Sequence, residues 1–236
     1  MKLKFLFIFF LSFQVFAQEK WNTLKIEEIK PNYFLYTTYN LFDDVPFPAN
    51  GLYIVGDSEI VIIDTPWNEA QFQNLLDSIE KRHHKKVTYC ISTHFHDDRT
   101  KALTFFESKG VKTYSSVRTK ELCLERNENL AKYTFLNDTI FNLSGIKFET
   151  YYPGKGHTED NIVIYFPNAK ILYGGCFVKS IENNSLGFIG DAFVKDWKKS
   201  LKKVIHMYGT AEIVIPGHFA ISDSKALNHT LKILKK

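Results

Sequence analysis

The feature that most constrains the fold of this chain is an apolar run, Val87–Ile91, followed directly by His94, His96 and Asp98. The short run predicts a buried β-strand. Side chains on alternate residues leave a strand on the same side, so the three polar groups can converge on a small volume at the strand end. Imidazole and carboxylate groups are common zinc ligands, and a zinc site needs three or four of them. The pattern therefore predicts a metal site at the end of a strand, with further ligands elsewhere.

Three other potential ligands share this local context, since each lies beside a β-like run. His157 lies in a glycine-punctuated loop at residues 153–161, Cys176 follows the apolar segment 170–175, and His218 follows a Pro-Gly pair. Catalytic and binding residues are found disproportionately on loops that a rigid sheet holds in place. We therefore expect six side chains to form one metal site: His94, His96, Asp98, His157, Cys176 and His218.

Each candidate also has a less specific interpretation. Asp97 is the alternative to Asp98 as a ligand, but the alternation with His94 and His96 leaves Asp97 facing away. The Pro-Gly pair before His218, taken alone, is an ordinary turn. The combination of six residues carries the prediction of a metal site. The remaining histidines lie in no loop motif and are interpreted as surface residues: His83, His84, His206 and His229.

Strand and helix patterns alternate along the chain without internal repeats or a long linker. β-like runs fall at residues 24–39, 51–64, 87–91, 111–115, 139–173 and 212–215, and helical patterns at 69–82, 101–109, 119–130, 195–207 and 222–234. Helices that flank sheets in this order fit a layered α/β or α+β domain. Residues 51–66 and 161–174 look alike, each with two apolar strands around a polar turn. This likeness suggests two related halves that meet at a shared cleft.

The first residues have the composition of a secretory signal peptide. Two lysines precede an apolar block at residues 5–16, and Ala17 ends a suitable cleavage site. We predict cleavage after Ala17, which divides the chain into a signal peptide at 1–17 and one domain at 18–236. The apolar block is shorter than the roughly 20 residues that span a bilayer, which disfavours the alternative of an uncleaved membrane anchor.

Composition indicates a packed globular protein and argues against nucleic-acid binding. Hydrophobic residues make up 44% of the 236 residues, which is enough for a substantial core. Removing residues 1–17 takes away two lysines and no acid, so the formal charge falls from +4 to +2. This charge is too small to indicate a nucleic-acid partner.

The three cysteines of a chain predicted to be exported cannot all form disulfides with one another. A role for Cys176 as a metal ligand accounts for the odd number. Cys90, in the apolar run, and Cys123, in a helical pattern, are then interpreted as small buried hydrophobic residues. A Cys90–Cys123 disulfide is the alternative, although nothing in the sequence places the two close together.

The order and the residues of these motifs resemble those of the class B metallo-β-lactamases, in particular the group whose second zinc is held by aspartate, cysteine and histidine. The resemblance spans nearly the whole chain after residue 17. It is carried by Asn50-Gly51-Leu52, Ile63-Asp64-Thr65-Pro66-Trp67, the His94 to Arg99 motif, Gly156-His157-Thr158 with Asp160-Asn161, Gly174-Gly175-Cys176 with Lys179, and Pro216-Gly217-His218.

This resemblance implies an α+β fold of four layers, an αβ/βα sandwich with the metal site at one edge of the sheets. It implies two zinc ions per chain and hydrolysis of the β-lactam amide bond by a metal-bound hydroxide, which would confer antibiotic resistance. Together with the predicted signal peptide, it places the protein in the periplasm without a stable membrane anchor; the expected partner is a small-molecule β-lactam, and a monomer is expected.

The resemblance also implies a role for each candidate residue. One zinc would be held by His94, His96 and His157, and the other by Asp98, Cys176 and His218. Asp98 would also orient the hydroxide, and Lys179 would bind the substrate carboxylate. Other substrate contacts are expected from Phe188 and from an apolar flap of Phe42, Val45 and Phe47, for which an ordinary hydrophobic hairpin is an equal alternative. Supporting contacts to the ligands and their loops are expected from Asp64, Arg99, Thr158 and Asn161.

Three residues depart from the family pattern, which usually has small residues or an asparagine in their places. They are Lys101 after the aspartate motif, Phe188 in place of an asparagine that helps to bind the carbonyl oxygen, and Phe219 in place of a glycine. Two alternative functions follow. One is another hydrolase of the superfamily, a thioesterase or lactonase, which Arg99 and Cys176 disfavour. The other is a secreted zinc-binding relative without activity.

Overall fold

The computed structural model describes residues 23–235, except residues 43 and 137. The predicted signal peptide and its cleavage site therefore lie outside the described residues. Strands in the described part of the chain form two mixed sheets. Among these residues, no helix has the length and apolar character needed to cross a membrane.

The first sheet has seven strands, which lie side by side in chain order. Neighbouring strands are antiparallel from the first to the fourth and parallel from the fourth to the seventh. Its strands are β1 (Lys25–Lys30), β2 (Tyr33–Phe42), β3 (Val45–Val55), β4 (Ile60–Ile63), β5 (Val87–Ile91), β6 (Lys112–Ser116) and β7 (Tyr133–Phe135).

The second sheet has five strands in the order β12-β11-β10-β9-β8. The β11 and β12 pair is parallel and the other pairs are antiparallel. Its strands are β8 (Ile140–Leu143), β9 (Ile146–Tyr151), β10 (Val163–Phe166), β11 (Ile171–Gly175) and β12 (Ile213–Pro216).

Terminating residues are visible at two of the helices. The Ser116 hydroxyl accepts a hydrogen bond from the Thr119 backbone N–H at the start of the helix Val117–Arg126, and Asn127 ends that helix with φ 57°. His84 ends the helix Phe72–His83 in the same left-handed conformation. The helices are α1 (Phe72–His83), α2 (Asp97–Thr100), α3 (Leu103–Ser108), α4 (Val117–Arg126), α5 (Val194–Tyr208) and α6 (Lys225–Ile233).

Apolar clusters among the described residues hold the layers together. The largest lies between the two sheets and includes Leu52 and Ile63 from the first and Ile164 from the second. A second cluster packs α1 and α3 against the outer face of the first sheet. A third packs α5 and α6 against the outer face of the second sheet, with Trp197 fully buried. The layers are therefore helix, sheet, sheet and helix, and the predicted four-layer α+β sandwich is confirmed.

The element boundaries differ from the sequence prediction in a few places. The helix predicted at 119–130 ends at Arg126, because Asn127 adopts a left-handed conformation. The helix predicted at 101–109 is two short helices, α2 and α3, with Lys101 in the turn between them. Strand β7 was not predicted, since three residues are too few for a periodic pattern. All three cysteines are free and buried, so the alternative Cys90–Cys123 disulfide is absent.

Candidate metal centre

Loops from both sheets meet at one edge of the sandwich and carry the six predicted ligands. His94, His96 and Asp98 follow β5, His157 lies between β9 and β10, Cys176 follows β11 and His218 follows β12. Backbone hydrogen bonds join the sheets at this edge: Asn50 N–H donates to the Gly217 carbonyl at 2.8 Å, and Ile162 N–H donates to the Thr93 carbonyl at 3.0 Å. The relative position of the loops is therefore fixed by main-chain contacts.

Three histidine rings form one half of the cluster. The ring centroids of His94, His96 and His157 lie 5.0 to 5.1 Å apart in every pair. Nε2 of His94 is buried and has no hydrogen-bond partner among the described residues. A buried nitrogen without a partner is costly, unless it binds an ion or water. These rings fit the nitrogen donor set of a zinc ion.

Hydrogen bonds outside the cluster orient two of these rings. Nε2 of His96 donates to Oδ2 of Asp191 at 3.0 Å, which leaves Nδ1 of His96 free to bind a cation. Nδ1 of His94 lies 3.3 Å from the Thr93 hydroxyl, which in turn donates to Oδ2 of Asp64 at 2.9 Å. This contact leaves Nε2 of His94, the nitrogen without a partner, facing Oδ1 of Asp98 at 4.0 Å.

The other half of the cluster consists of three different donor atoms. Sγ of Cys176 lies 3.2 Å from Nε2 of His218 and 3.4 Å from Oδ2 of Asp98, and the last two atoms are 3.3 Å apart. Nδ1 of His218 donates to the Pro48 carbonyl at 2.7 Å, which directs Nε2 toward the other two. One sulfur, one nitrogen and one oxygen at these separations fit the ligand set of a single zinc ion.

Burial and neighbouring charges set the protonation of these groups in the protein alone. Burial lowers the pKa of His94 and of His157 well below the ordinary histidine value, so both rings are neutral at pH 7. Burial also raises the pKa of the Cys176 thiol to about 12, and the fold by itself does not make it a thiolate. A bound metal ion is the group that deprotonates such a thiol.

Asp98 is ionised although it is buried. Burial alone would raise the pKa of its carboxyl, but the Arg99 guanidinium and, to a smaller extent, the neighbouring His218 lower the pKa well below its usual value. Nε and one terminal nitrogen of Arg99 both donate to Oδ2 of Asp98, at 3.1 and 2.8 Å. Two bonds from one guanidinium fix the orientation of this carboxylate.

Gly217 leaves space for Cys176 and Arg99 beside His218. A Cβ atom added at this position would lie 2.5 Å from Sγ of Cys176 and 2.9 Å from a guanidinium nitrogen of Arg99. A side chain at residue 217 would therefore collide with both groups. The glycine next to His218 is explained by this close approach.

The remaining supporting residues lie beneath or beside the cluster. Asp64 is fully buried at φ 62° and accepts hydrogen bonds from the Thr93 backbone and hydroxyl. The Asn161 amide joins two parts of the His157 loop, since its oxygen accepts from Thr158 N–H at 2.9 Å and its nitrogen donates to the Gly154 carbonyl at 3.0 Å. Thr158 itself is buried, and its carbonyl accepts from Gly156 N–H at 2.9 Å.

A cleft of about 720 Å³ opens over the cluster. Its volume suits a small molecule of drug size. Lys179 lines one side, largely buried, with Nζ 5.3 Å from the centre of the Trp197 ring. Aromatic residues make up much of the remaining wall: Phe42, Phe47, Trp67, Phe95, Phe188 and Phe219.

The substrate-contact candidates differ in how they face this cleft. Phe47 packs against His218 with 5.0 Å between ring centroids. Phe188 lies over His96 at 5.8 Å and is 62% exposed, so it is available to a ligand. Phe42 lines the cleft from the tip of the β2–β3 hairpin, and Val45 lies in the same tip but is not among the described residues of the cleft wall.

The sequence did not single out two residues that the structure places at the site. Asp191 orients His96 and also accepts from Arg126 at 3.1 Å. Trp197 packs against both Lys179 and His157, with 5.7 Å between the ring centroids of Trp197 and His157. Asp191 lies in a loop without a ligand pattern, and Trp197 belongs to the apolar stripe of α5. Neither position carries a local signal that could have revealed its role.

Phe219 is held in a backbone conformation that bulky residues rarely adopt. Its φ is 65°, and its carbonyl accepts a hydrogen bond from the Asn50 side chain at 2.7 Å. Strain of this kind costs on the order of 1–3 kcal/mol and is found mainly at functional sites. The Phe219 ring lies 5.0 Å from Phe47, so the strained residue completes the aromatic wall beside His218.

Comparison with known proteins gives the class to which this fold and site belong. The family model described as the metallo-β-lactamase superfamily matches residues 44–218, which include all six candidate ligands. The chain belongs to the metallo-β-lactamase superfamily.

Individual relatives are similar over nearly their whole length. The metallo-β-lactamase type 2 of Elizabethkingia meningoseptica is 43% identical over 213 residues, which cover 90% of this chain and 86% of that protein. The metallo-β-lactamase type 2 of Bacillus cereus is 36% identical over 213 residues, 90% of this chain and 83% of that protein. The solved structure of a metallo-β-lactamase from Pontibacter korlensis is 33% identical, with a TM-score of 0.88 over 91% of this chain and all of that one.

Proposed function

We propose that this protein is a zinc-dependent hydrolase that opens the amide bond of β-lactam antibiotics and so confers resistance to them. The observation that carries the proposal is the presence of two sets of donor atoms at the floor of a cleft of drug size. One set has three histidine nitrogens, and the other has one oxygen, one sulfur and one nitrogen. The 43% identity to a metallo-β-lactamase supports the same substrate class. It does not favour the alternatives of a thioesterase, a lactonase or an inactive relative.

The proposed metal content is two zinc ions per chain. His94, His96 and His157 would hold one ion, and Asp98, Cys176 and His218 would hold the other. Bound zinc supplies a water molecule whose pKa is lowered to around 7, polarises a carbonyl and stabilises the negative charge on a departing nitrogen.

The side chains of this protein orient the reactants around that chemistry. Asp98 is held ionised by Arg99, so it can accept a hydrogen bond from the attacking water and fix its direction. Lys179 would donate a charge-assisted hydrogen bond to the substrate carboxylate. The aromatic walls would exclude water from the rest of the bound molecule. In this assignment Phe188 offers an apolar contact and no hydrogen bond to the carbonyl oxygen.

The direct test uses the purified protein without residues 1–17, a chromogenic cephalosporin and a carbapenem. We expect ring opening that stops on addition of a zinc chelator and returns with added zinc. No chelator-sensitive ring opening of either compound would contradict the proposal. Turnover of a thioester instead would point to the first alternative function.

A cysteine variant tests the assignment of the second ion. Replacement Cys176→Ser should reduce zinc from two ions to one per chain, measured by elemental analysis, and lower the rate by about 100-fold or more. Cys90→Ala is the matched control, because Cys90 is equally buried but lies on the helix-covered face of the first sheet. Unchanged zinc content in Cys176→Ser would overturn the assignment.

We also propose export to the periplasm as a monomer, with residues 1–17 removed as a signal peptide and no stable membrane anchor. A periplasmic enzyme would meet β-lactams before they reach the enzymes that build the cell wall. Sequencing the amino terminus of the protein recovered from a periplasmic extract should give Gln18 as the first residue. A mature protein that starts at Met1 and sediments with membranes would contradict this proposal.

A further inference from the structure

Tyr173 is a fully buried residue of β11 whose hydroxyl crosses from the second sheet to the first. Its oxygen lies 2.7 Å from the Asn50 carbonyl and 2.8 Å from Oδ2 of Asp64. Asn50 belongs to β3 and Asp64 follows β4, so both acceptors lie on the first sheet. The hydroxyl therefore makes a polar link between the sheets within the apolar layer that separates them.

The same hydroxyl accepts a hydrogen bond from Arg99. One terminal nitrogen of the guanidinium, Nη1, donates to the Asn50 carbonyl at 2.6 Å, to Tyr173 Oη at 3.3 Å and to Asp64 Oδ2 at 3.4 Å. All of these groups are buried. Nη1 is thus enclosed by one carbonyl, one hydroxyl and one carboxylate, each of which also contacts another member of the group.

The opposite terminal nitrogen of the guanidinium serves the candidate metal centre. Nη2 of Arg99 donates to Oδ2 of Asp98 at 2.8 Å, to Sγ of Cys176 at 3.1 Å and to the Gly217 carbonyl at 2.9 Å. A guanidinium is planar and rigid, so a rotation that displaces Nη1 also displaces Nη2. The contacts made by Nη1 therefore contribute to the direction in which the donors to Asp98 and Cys176 point.

We infer that the Tyr173 hydroxyl is a positioning group, which holds Arg99 in the orientation that presents Asp98 and Cys176 to the second metal ion. The inference rests on the proposed function, since it assigns a role toward that same metal site. Without the hydroxyl, Nη1 keeps Asn50 and Asp64 but loses one of its three acceptors, and Asp64 loses a donor. Fewer contacts then hold the guanidinium on that side, and its orientation toward the two metal ligands becomes less fixed.

The variant Tyr173→Phe tests this inference, because it removes a single oxygen and preserves the ring. Cobalt(II) replaces zinc as the probe, since its bond to the Cys176 thiolate gives a charge-transfer absorption in the near ultraviolet. We expect the affinity for the second cobalt ion, measured by titration, to fall roughly tenfold, at the lower end of the loss found for groups that support metal ligands. The affinity for the first ion should change less than twofold.

Tyr36→Phe is the matched control, since it removes an equally buried hydroxyl from the same region. Tyr36 donates to the main-chain carbonyl of Asp64 at 2.7 Å and has no bond to Arg99 among those described. Each variant removes one buried hydroxyl together with its hydrogen bonds, so a loss of stability is expected for both. Only Tyr173→Phe should weaken the second cobalt site and shift its absorption. An equal effect of Tyr36→Phe, or none of Tyr173→Phe, would overturn the inference.

A double variant shows whether Tyr173 acts through Arg99. In an Arg99→Lys background the rigid guanidinium is absent, so adding Tyr173→Phe should change second-site affinity by less than twofold. An undiminished tenfold loss would overturn the inference. Failure of the proposed function is recognised separately, because a wild-type protein that binds two cobalt ions but opens no β-lactam ring would contradict that function and leave the positioning role of Tyr173 measurable by the same titrations.

Discussion

At the scale of single residues, Lys179 of the cleft differs from an ordinary surface lysine because it is buried. Lys179 is almost completely buried, and burial lowers the pKa of its ammonium from the usual value. Its backbone N–H donates to the Thr230 hydroxyl at 2.8 Å, which anchors the segment to α6. A lysine held in this way can pair with a substrate carboxylate after little further loss of side-chain entropy.

Replacement of Lys179 by methionine should mainly weaken substrate binding. Methionine fills the space over Trp197 but lacks the charge, so a charge-assisted hydrogen bond of about 1.5–3 kcal/mol is lost. We expect KM for a carbapenem to rise about 10- to 100-fold, with unchanged zinc content, in steady-state kinetics. Lys199→Met, an exposed lysine of α5, is the control and should behave as wild type. A normal KM in Lys179→Met would exclude the carboxylate-binding role.

Asp64 predicts a specific dependence of stability on pH. Burial raises the pKa of its carboxyl from 3.8 to about 6, although Arg99 and hydrogen bonds oppose this shift. Between pH 4 and 6 the Asp64 carboxyl is therefore protonated in the folded protein and ionised in the unfolded chain. Stability contributed by Asp64 is present below about pH 4 and is lost as pH rises to 6.

The comparison with Asp64→Asn isolates this contribution, because asparagine does not titrate. The unfolding free energy of the metal-free wild type, minus that of the variant, should fall by about 3 kcal/mol from pH 4 to pH 7. Urea unfolding at several pH values measures the difference. A difference that stays constant, or that rises with pH, would contradict a raised pKa for Asp64.

At the scale of elements, the β2–β3 hairpin extends over the mouth of the cleft with apolar residues at its tip. Phe42 is 59% exposed and lines the cleft, whereas Val45 is 62% exposed and does not belong to the described cleft wall. The two residues lie opposite each other in the hairpin register. The sequence left two interpretations open, a substrate flap and an ordinary hydrophobic hairpin. A comparison of Phe42 with Val45 can distinguish between them.

Shortening these two side chains in turn tests the flap. Phe42→Ala should raise KM about 3- to 10-fold for β-lactams with large apolar substituents, because roughly 1 kcal/mol of apolar contact is lost. Zinc content and kcat should stay near wild type. Val45→Ala should leave KM unchanged. Equal KM values for both variants and the wild type would favour the ordinary hairpin.

Element boundaries were predictable where the apolar pattern was long and where the chain contains a terminating residue. The helix α5 and the strand β5 were predicted nearly to the residue, because each has a continuous apolar pattern. The end of α4 was not, since the helical pattern continues beyond Asn127 and only the backbone conformation there ends the helix. A helical sequence pattern does not predict the last residue of a helix well when the backbone conformation of a single residue terminates it.

At the scale of the whole molecule, the candidate metal centre joins the two sheets. Asp98 and Arg99 lie in α2, which follows β5 of the first sheet, and Cys176 and His218 lie in loops of the second. A cation bound to Asp98, Cys176 and His218 would therefore bind only the folded state, where these loops meet. Ligands that bind only the folded state raise its stability.

Zinc should consequently raise the melting temperature of the metal-free protein. At a zinc concentration about 100 times Kd the gain is about 2.7 kcal/mol per site, which corresponds to roughly 5–10 °C for a chain of this length. Circular dichroism during heating measures the shift. Magnesium at the same concentration is the control, since it prefers oxygen ligands and should give no shift. Equal melting temperatures with and without zinc would contradict a site that joins the sheets.

The sequence by itself determined the types of ligand, their spacing around His94, His96 and Asp98, and the alternation of strands and helices. These properties follow from backbone periodicity, which is local. Only the tertiary structure decided that Asp191 orients His96, that Trp197 packs against Lys179, and that Tyr173 and Arg99 lie beneath Asp98 and Cys176. Such contacts join residues distant in sequence, and they depend on how two sheets pack face to face, which no local pattern encodes.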